Sequence, residues 1–98
     1  MAFVQIVEFQ TTKPDEIRAM DKEWRAATEG RRTATRSLHV EDRDRPGTYC
    51  VVVEFPSFEA AMKNSELPET AGFATKMAAL CDGPMTFRNL EVIEEQSL

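Results

Sequence analysis

Four stretches of the chain have the hydrophobic pattern of β-strands. Residues 2–10 and Thr48–Phe55 are apolar in both alternating sets of positions, which is typical of strands covered on both faces. Residues 33–42 and 85–93 alternate more loosely between apolar and polar side chains. The turn residues Asp44-Arg45-Pro46-Gly47 lie between the second and third stretches, so these two strands should form an antiparallel hairpin.

Helical spacing of apolar residues fills the two segments between these strands. In the first segment, Thr12 is a candidate N-cap, Pro14 suits the first turn, and Gly30 is a good stop. Its apolar stripe consists of Ile17, Met20, Trp24 and Ala27. In the second segment, Ser57 can cap a short helix, and Pro68 starts or restarts a helix. The stripe of this later helix consists of Phe73, Met77 and Leu80.

The element order β-α-β-β-α-β predicts an α+β fold of the ferredoxin-like type. In this fold, a four-stranded antiparallel sheet carries two helices on one face. Residues 1–98 are expected to form one such domain. Because the first and third strands are apolar on both faces, the uncovered face needs a cover, and the sheet of a second copy is the simplest one. We therefore predict a homodimer with sheet-to-sheet packing, a dimeric α+β barrel.

Charge and hydropathy narrow the classes of partner. The net charge of −5 argues against binding to nucleic acid or to an anionic membrane surface. No stretch is long enough and apolar enough to span a membrane, and the N-terminus lacks the pattern of a signal peptide, so we expect a cytoplasmic protein. A local basic cluster of Arg31, Arg32 and Arg36 is either the solvated end of a helix or a site for an anionic ligand. Cys50 and Cys81 are expected to be free, buried thiols.

Sequence motifs give no indication of a bound cofactor or metal ion. The four glycines form no Gly-rich loop, and no dinucleotide fingerprint, phosphate loop or nucleophile elbow is present in the sequence. The single histidine has no cysteine or carboxylate partners at metal-ligand spacing. We therefore expect neither a cofactor nor a metal ion.

Three stretches of sequence add to the evidence of the element order. These are the strand-to-helix passage Val53 to Ala61, the broken helix around Ser65 to Thr70, and the closing strand after Asp82-Gly83-Pro84. In these stretches and in the element order, the chain resembles the antibiotic biosynthesis monooxygenase group of dimeric α+β barrels over residues 3–93. The resemblance implies a ligand pocket between the sheet and the helices of each subunit. The superfamily includes cofactor-free oxygenases of aromatic polyketides, haem-degrading enzymes and isomerases, so it implies a class of ligand rather than one reaction.

Haem degradation does not fit this resemblance. Haem-degrading relatives use an Asn on the first strand with a Trp and a His on the second helix, whereas this first strand carries Gln5 and Glu8 and this second helix has neither residue. Cofactor-free oxygenases of phenols place Asn, Trp, Tyr or His around the pocket, and Trp24, Tyr49 and His39 are of these types. The leading interpretation is a cofactor-independent monooxygenase, or an isomerase or cyclase, of aromatic or polyketide-like compounds. The alternative is a non-catalytic ligand-binding or accessory protein.

His39, Glu54 and Tyr49 are the candidate catalytic residues. An imidazole suits proton abstraction from a phenol or enol, although His39 could also point to solvent. Glu54 and Glu8 each end a strand, and two close carboxylates could share a proton and act as acid or base. Each could instead pair with an arginine at the dimer interface. The candidates for this pairing are Arg36 and Arg88. Tyr49 opens the third strand, where its hydroxyl could reach the pocket mouth or solvent.

Five side chains are candidates for ligand binding: Trp24, Gln5, Asn89, Met62 and Met77. Trp24 belongs to the apolar stripe of the first helix, where it either packs in the core or lines the pocket. Gln5 and Asn89 could orient a polar ligand if their face of the sheet looks at the helices. Met62 and Met77 are equally typical of gap fillers in a core.

Overall fold

The computed structural model describes residues 2–98, which contain four strands and three helices. Their order along the chain is β1 (Phe3–Gln10), α1 (Pro14–Ala27), β2 (Arg36–Glu41), β3 (Thr48–Phe55), α2 (Phe58–Glu66), α3 (Pro68–Ala79) and β4 (Thr86–Glu91). The strands form one antiparallel sheet in the order β2-β3-β1-β4. The predicted α+β fold of the ferredoxin-like type is therefore confirmed, including the hairpin of β2 and β3.

One face of the sheet packs against the helices. A single row of paired residues, Phe87, Val7, Val51 and His39, crosses β4, β1, β3 and β2 on this face. Val7 and its β1 neighbours Phe3 and Phe9 are buried there. The buried side chains Ile17 of α1 and Met77 of α3 pack with Val7 and Phe9 in one cluster, whereas Phe3 belongs to a second cluster.

The opposite face, called the outer face here, is apolar and carries no helix. Alternation along the strands places six apolar side chains on it. They are Val4, Ile6, Leu38, Val40, Val52 and Leu90. Leu38, Val40 and Leu90 are each at least 40% exposed. None of the helices within residues 2–98 is long and apolar enough to cross a membrane.

The second helical segment is divided into two helices, α2 and α3, at the place where Pro68 is predicted to start or restart a helix. Leu67 adopts an extended conformation with φ −64° and ψ 130° between α2 and α3. The residue before a proline is disfavoured in the α region, and Pro68 has no N–H to continue the helical hydrogen bonds, so the break falls at this position. Ser57 caps α2 as predicted, since its hydroxyl accepts a hydrogen bond from the Ala60 N–H at 3.0 Å.

The start of α1 corrects one prediction. Lys13, not Thr12, occupies the N-cap position, and no side chain there caps the helix. The hydroxyl of Thr11 accepts a hydrogen bond from the Lys13 N–H at 3.0 Å and donates one to the carbonyl oxygen of Leu80 at 2.6 Å. The entry into α1 is thus fixed by Thr11 and by a tertiary contact with the end of α3.

The two edge strands of the sheet, β2 and β4, are shorter than predicted. β2 begins at Arg36 and β4 covers Thr86–Glu91, whereas the pattern predicts 33–42 and 85–93. The Thr33 N–H donates to the side-chain oxygen of Asn64 on α2 at 3.3 Å. Thr33 is therefore bound to a helix instead of the strand ladder.

Candidate functional site

A cavity of about 310 Å³ lies between the sheet and the helices. The sheet contributes the apolar side chains Val7, Val51 and Phe87 of the row described above, together with Val53 and Phe55. Across from them, Trp24 of α1 and Phe73 and Met77 of α3 form an apolar wall. This is the position that the family resemblance implies for a ligand pocket. Its volume is at the lower end of the range for small-molecule sites.

His39 lines this cavity and contacts an acidic residue of α1. The His39 Nε2 atom lies 3.7 Å from the Oδ2 atom of Asp21, and the two side chains are 27% and 17% exposed. Asp21 is also held by Arg25, whose Nε lies 3.1 Å from the same oxygen. The polar face of β2 therefore looks at the helices, and His39 is a partly buried imidazole with a carboxylate neighbour.

Trp24 is fixed at the cavity wall by polar and aromatic contacts. Its indole N–H donates a 2.9 Å hydrogen bond to the hydroxyl of Thr70 on α3. The indole is tilted at 51° against Phe73, with 6.4 Å between ring centroids. On another side, the guanidinium carbon of Arg32 lies 5.9 Å from the ring centroid. Because its N–H is satisfied, this indole offers a ligand its apolar surface and not a donor.

The two predicted amides form a pair across β1 and β4. Gln5 lies opposite Asn89, and its amide nitrogen donates to the Asn89 side-chain oxygen at 3.2 Å. Gln5 lines the cavity, and Asn89, beside it on β4, orients the Gln5 amide without lining the cavity itself. Of the two predicted methionines, Met77 lines the cavity. Met62 packs against a separate part of the core, around Phe3.

Tyr49 lies beyond His39 in a second, smaller cavity of about 140 Å³ that His39 also lines. Its ring stacks on Phe9 with centroids 5.9 Å apart. Burial, followed by the nearby Glu41 carboxylate, raises the pKa of the Tyr49 hydroxyl above its usual value. Tyr49 therefore stays protonated at neutral pH. It does not line the larger cavity.

The structure does not bring Glu8 and Glu54 together. Both lie on the outer face, but Glu54 is paired with Val4 at one end of β1, and Glu8 is paired with Cys50 near the other end. Each is close to an arginine. The Glu54 carboxylate lies 3.4 Å from Arg36, and the Glu8 carboxylate lies 3.2 Å from Arg45. Neither carboxylate lines the cavity, so the geometry gives Glu54 no access to a ligand there.

Sequence reasoning missed Asp21 and Thr70. Asp21 lies three residues before Trp24, and residues three apart in a helix lie on the same side of it. This spacing could have shown that Asp21 lies next to the apolar stripe of α1. Thr70 lies in the first turn of α3, and no local pattern connects it to Trp24, 46 residues away.

Within residues 2–98, no group of three or more His, Cys, Asp and Glu side chains is arranged to hold a metal ion. Cys50 and Cys81 are free, as predicted, but they are half-buried rather than buried. Burial, with the Glu8 carboxylate as a smaller cause, raises the pKa of the Cys50 thiol. Burial and Asp82 raise the pKa of the Cys81 thiol. Both thiols are therefore mainly protonated at neutral pH, and neither is an activated nucleophile.

Solved structures of the same fold match nearly the whole chain. SnoaB, a cofactor-independent oxygenase from Streptomyces nogalater, is 18% identical and has a TM-score of 0.77, over 99% of this chain and 96% of that chain. Rv0793 from Mycobacterium tuberculosis is 16% identical with a TM-score of 0.79, over 99% of this chain and 100% of that chain. A structure named antibiotic biosynthesis monooxygenase is 15% identical with a TM-score of 0.74, over 96% of this chain and 100% of that chain.

These likenesses establish the fold. The chain shares it with proteins named antibiotic biosynthesis monooxygenases, as the sequence resemblance indicates. No protein-family model and no curated protein matches the sequence.

Proposed function

We propose that the protein is a cofactor-independent oxygenase of small aromatic compounds, including polyketide-like ones, and that it binds them in the cavity between the sheet and the helices. One observation carries the proposal: His39, the candidate base, lies beside Asp21 at the wall of a mostly apolar cavity. The fold shared with SnoaB, a cofactor-independent oxygenase, supports the reaction class.

The cavity combines apolar walls, a candidate base and a polar group that can hold a ligand. The apolar walls formed by Val51, Trp24 and Phe73 suit an aromatic ring. His39 supplies a base, and the Asp21 carboxylate would stabilise the imidazolium formed when His39 accepts a proton. Gln5, oriented by Asn89, provides an amide on the floor that can hold a polar group of the ligand.

The proposed reaction converts a CH₂ group into a carbonyl. This CH₂ is that of an anthrone or that of the keto tautomer of a phenol or naphthol. His39 removes one proton, and the resulting carbanion transfers electrons to O₂ and forms a C–O bond to give a peroxide. Protonation by the His39 imidazolium gives a hydroperoxide, which loses water as the second C–H bond breaks. One oxygen atom remains in the carbonyl and the other leaves as water, so the substrate supplies all the electrons.

We further propose that two copies pair through the outer face. Leu38, Val40 and Leu90 form an apolar surface there that a single copy leaves in water. Burying apolar surface contributes roughly 25 cal/mol per Å², and a second copy of the same sheet supplies a matching face. Arg36 with Glu54 and Arg45 with Glu8 lie on the same face, where they can fix how the sheets are aligned.

Oxygen uptake tests the oxygenase proposal. Purified protein in the presence of a chelator and without added flavin is mixed with phenols, naphthols and anthrones, and O₂ consumption is measured above the spontaneous rate. We expect turnover of at least one compound, and a decrease in kcat of about 100-fold or more in His39→Asn. The control Asp15→Asn, at an exposed position on α1, should retain full activity.

Other outcomes identify the alternatives. Full activity in His39→Asn would contradict the assignment of the base. Conversion of substrate without O₂ consumption would indicate an isomerase or cyclase. Binding of aromatic compounds without conversion of any of them would indicate a non-catalytic ligand-binding protein.

A further inference from the structure

We infer that the cavity ligand carries a carboxylate and that Arg32 binds this group. The inference rests on the proposed function only in that both use the same cavity. It adds a substrate class, an aromatic acid of one or two rings.

The residues that line the cavity carry a net positive charge, whereas the whole chain has a net negative charge. The chain has a net charge of −5, yet the charged residues that line the cavity within residues 2–98 are Arg25, Arg32, Arg36 and one acid, Asp21. The Arg25 side chain is 52% exposed, so this end of the cavity is open to solvent, whereas the Arg36 side chain pairs with Glu54 on the outer face. A positive charge without an acidic partner at the entrance of a low-dielectric cavity attracts ligands of opposite charge.

Arg32 is the arginine that remains available to a ligand. Arg25 is paired with Asp21 at 3.1 Å, and Arg36 is paired with Glu54 at 3.4 Å. No carboxylate within residues 2–98 forms an ion pair with Arg32. Its Nη1 donates to the backbone oxygen of Arg25 at 2.6 Å, which leaves the other guanidinium N–H groups for a ligand.

The guanidinium of Arg32 is held in place before a ligand arrives. Its backbone N–H donates to the carbonyl oxygen of Thr28 at 2.9 Å, and Thr28 is fully buried. Its side chain lies over the ring of Trp24, 5.9 Å from the centroid. A fixed guanidinium loses little conformational entropy on binding, and its planar fork fits the two oxygens of a carboxylate.

The position of Arg32 beside Trp24 explains why the acid should be aromatic. Trp24 lines the cavity, so a ring against the indole places a substituent at the edge of that ring near the guanidinium. A volume of about 310 Å³ is enough for a molecule with one or two rings and is at the small end for larger ligands.

Isothermal titration calorimetry with three matched probes tests the inference. The probes are 2-naphthoate, its uncharged methyl ester, and 2-naphthyl phosphate, each titrated into wild-type protein, Arg32→Gln and the control Arg43→Gln. Arg43 is exposed on the β2–β3 loop and lines none of the cavities described here, and its substitution changes the net charge equally. We expect wild-type protein to bind 2-naphthoate about tenfold or more tighter than the ester.

In Arg32→Gln, we expect the affinity for 2-naphthoate to fall by about tenfold or more, with little change for the ester. Arg43→Gln should behave as wild type with both. Equal binding of acid and ester, or equal weakening of both by Arg32→Gln, would overturn the inference. Tighter binding of the phosphate than of 2-naphthoate would overturn the assignment of a carboxylate.

The outcomes separate this inference from the oxygenase proposal. Selective, Arg32-dependent binding of acids, with no O₂ uptake by any acidic or neutral phenol, would support the substrate class and contradict the oxygenase. O₂ uptake with neutral phenols, combined with no preference for acids, would support the oxygenase and overturn the role of Arg32.

Discussion

The imidazole of His39 and the carboxylate of Asp21 face each other across the gap between β2 and α1, with 3.7 Å between Nε2 and Oδ2. The contact joins an edge strand to a helix and places the only histidine of the sequence at the cavity wall. Arg25 holds the same carboxylate oxygen from one turn further along α1. Asp21 therefore has a fixed position from which it can orient His39.

Asp21→Asn tests whether this contact matters for catalysis. The amide keeps the shape of the side chain but cannot stabilise an imidazolium by charge, so we expect kcat to fall by about tenfold or more while KM changes little. Steady-state kinetics of O₂ uptake measures both constants, and a thermal unfolding curve checks that the fold is retained. Asp15→Asn on the same helix is the matched control. A change in KM alone, or none in kcat, would remove Asp21 from the mechanism.

The hydrogen bond between Trp24 and Thr70 should stabilise the packing of α1 on α3. Thr70→Val keeps the size of the side chain and leaves the indole N–H without its partner, so we expect the free energy of unfolding to fall by about 1 kcal/mol. Urea denaturation followed by circular dichroism measures this change. In the control Thr75→Val, the lost hydroxyl bonds only to Ala71 in its own helix, and a smaller effect is expected. Equal effects of the two substitutions would contradict the structural role of the Trp24 contact.

Glu69 should make stability depend on pH in the acid range. The hydrogen bond from the Arg31 guanidinium, at 2.6 Å, lowers the pKa of Glu69 below its usual value of 4.5. The folded state therefore favours the ionised form. This stabilisation is fully present above the unfolded-state pKa and is lost as the pH falls through the lowered pKa.

Urea denaturation at pH values from 7 down to 3 measures the effect. In Glu69→Gln, we expect lower stability at pH 6 and a shallower loss of stability below pH 4.5 than in wild type. Glu59→Gln, at an exposed position on α2, is the control and should follow wild type. Parallel curves for wild type and Glu69→Gln would contradict the role of the Arg31 contact.

Most of the fold follows from local patterns that the sequence displays. Strands apolar on both faces, the turn at residues 44–47 and the prolines at 14 and 68 each constrain the backbone locally, and the structure confirms them. The start of β2 at Arg36 could not be predicted from local patterns. Thr33 is removed from the ladder by Asn64, a residue 31 positions away whose contact exists only after α2 has packed on the sheet.

The candidate site was less predictable, for two reasons. The alternation of β2 places His39 on one face, but only the packing of α1 decides that this face looks at the cavity and meets Asp21. The expected meeting of Glu8 and Glu54 fails for a geometric reason. In an antiparallel pair, the end of one strand lies opposite the start of the other, so two strand-end residues lie far apart.

The rates at which Cys50 and Cys81 are alkylated test the proposed dimer. Burial raises the pKa of both thiols above the usual value of 9.0, so their alkylation by iodoacetamide should accelerate as the pH rises through and beyond 9.0. Cys50 lies on the outer face, opposite Glu8, whereas Cys81 follows α3 away from that face. If a second copy covers the outer face, Cys50 should react more slowly than Cys81, as measured by mass spectrometry of labelled peptides.

Leu38→Glu places a charge in the proposed interface and should produce a monomer in size-exclusion chromatography with light scattering. It should also raise the labelling rate of Cys50 and leave that of Cys81 unchanged. Ile93→Glu, at an exposed position in the C-terminal tail, is the control and should remain dimeric. A wild-type protein that is monomeric, with Cys50 as reactive in it as in Leu38→Glu, would contradict the dimer.

A crystal structure of the protein bound to 2-naphthol tests most directly whether the cavity between sheet and helices is the functional site. We expect the rings to lie between Val51 on the sheet and Trp24 and Phe73 on the helices, with the naphthol oxygen within hydrogen-bonding distance of His39. Binding at the small cavity beside Tyr49 or on the outer face, with the larger cavity left empty, would contradict the site and the role assigned to His39.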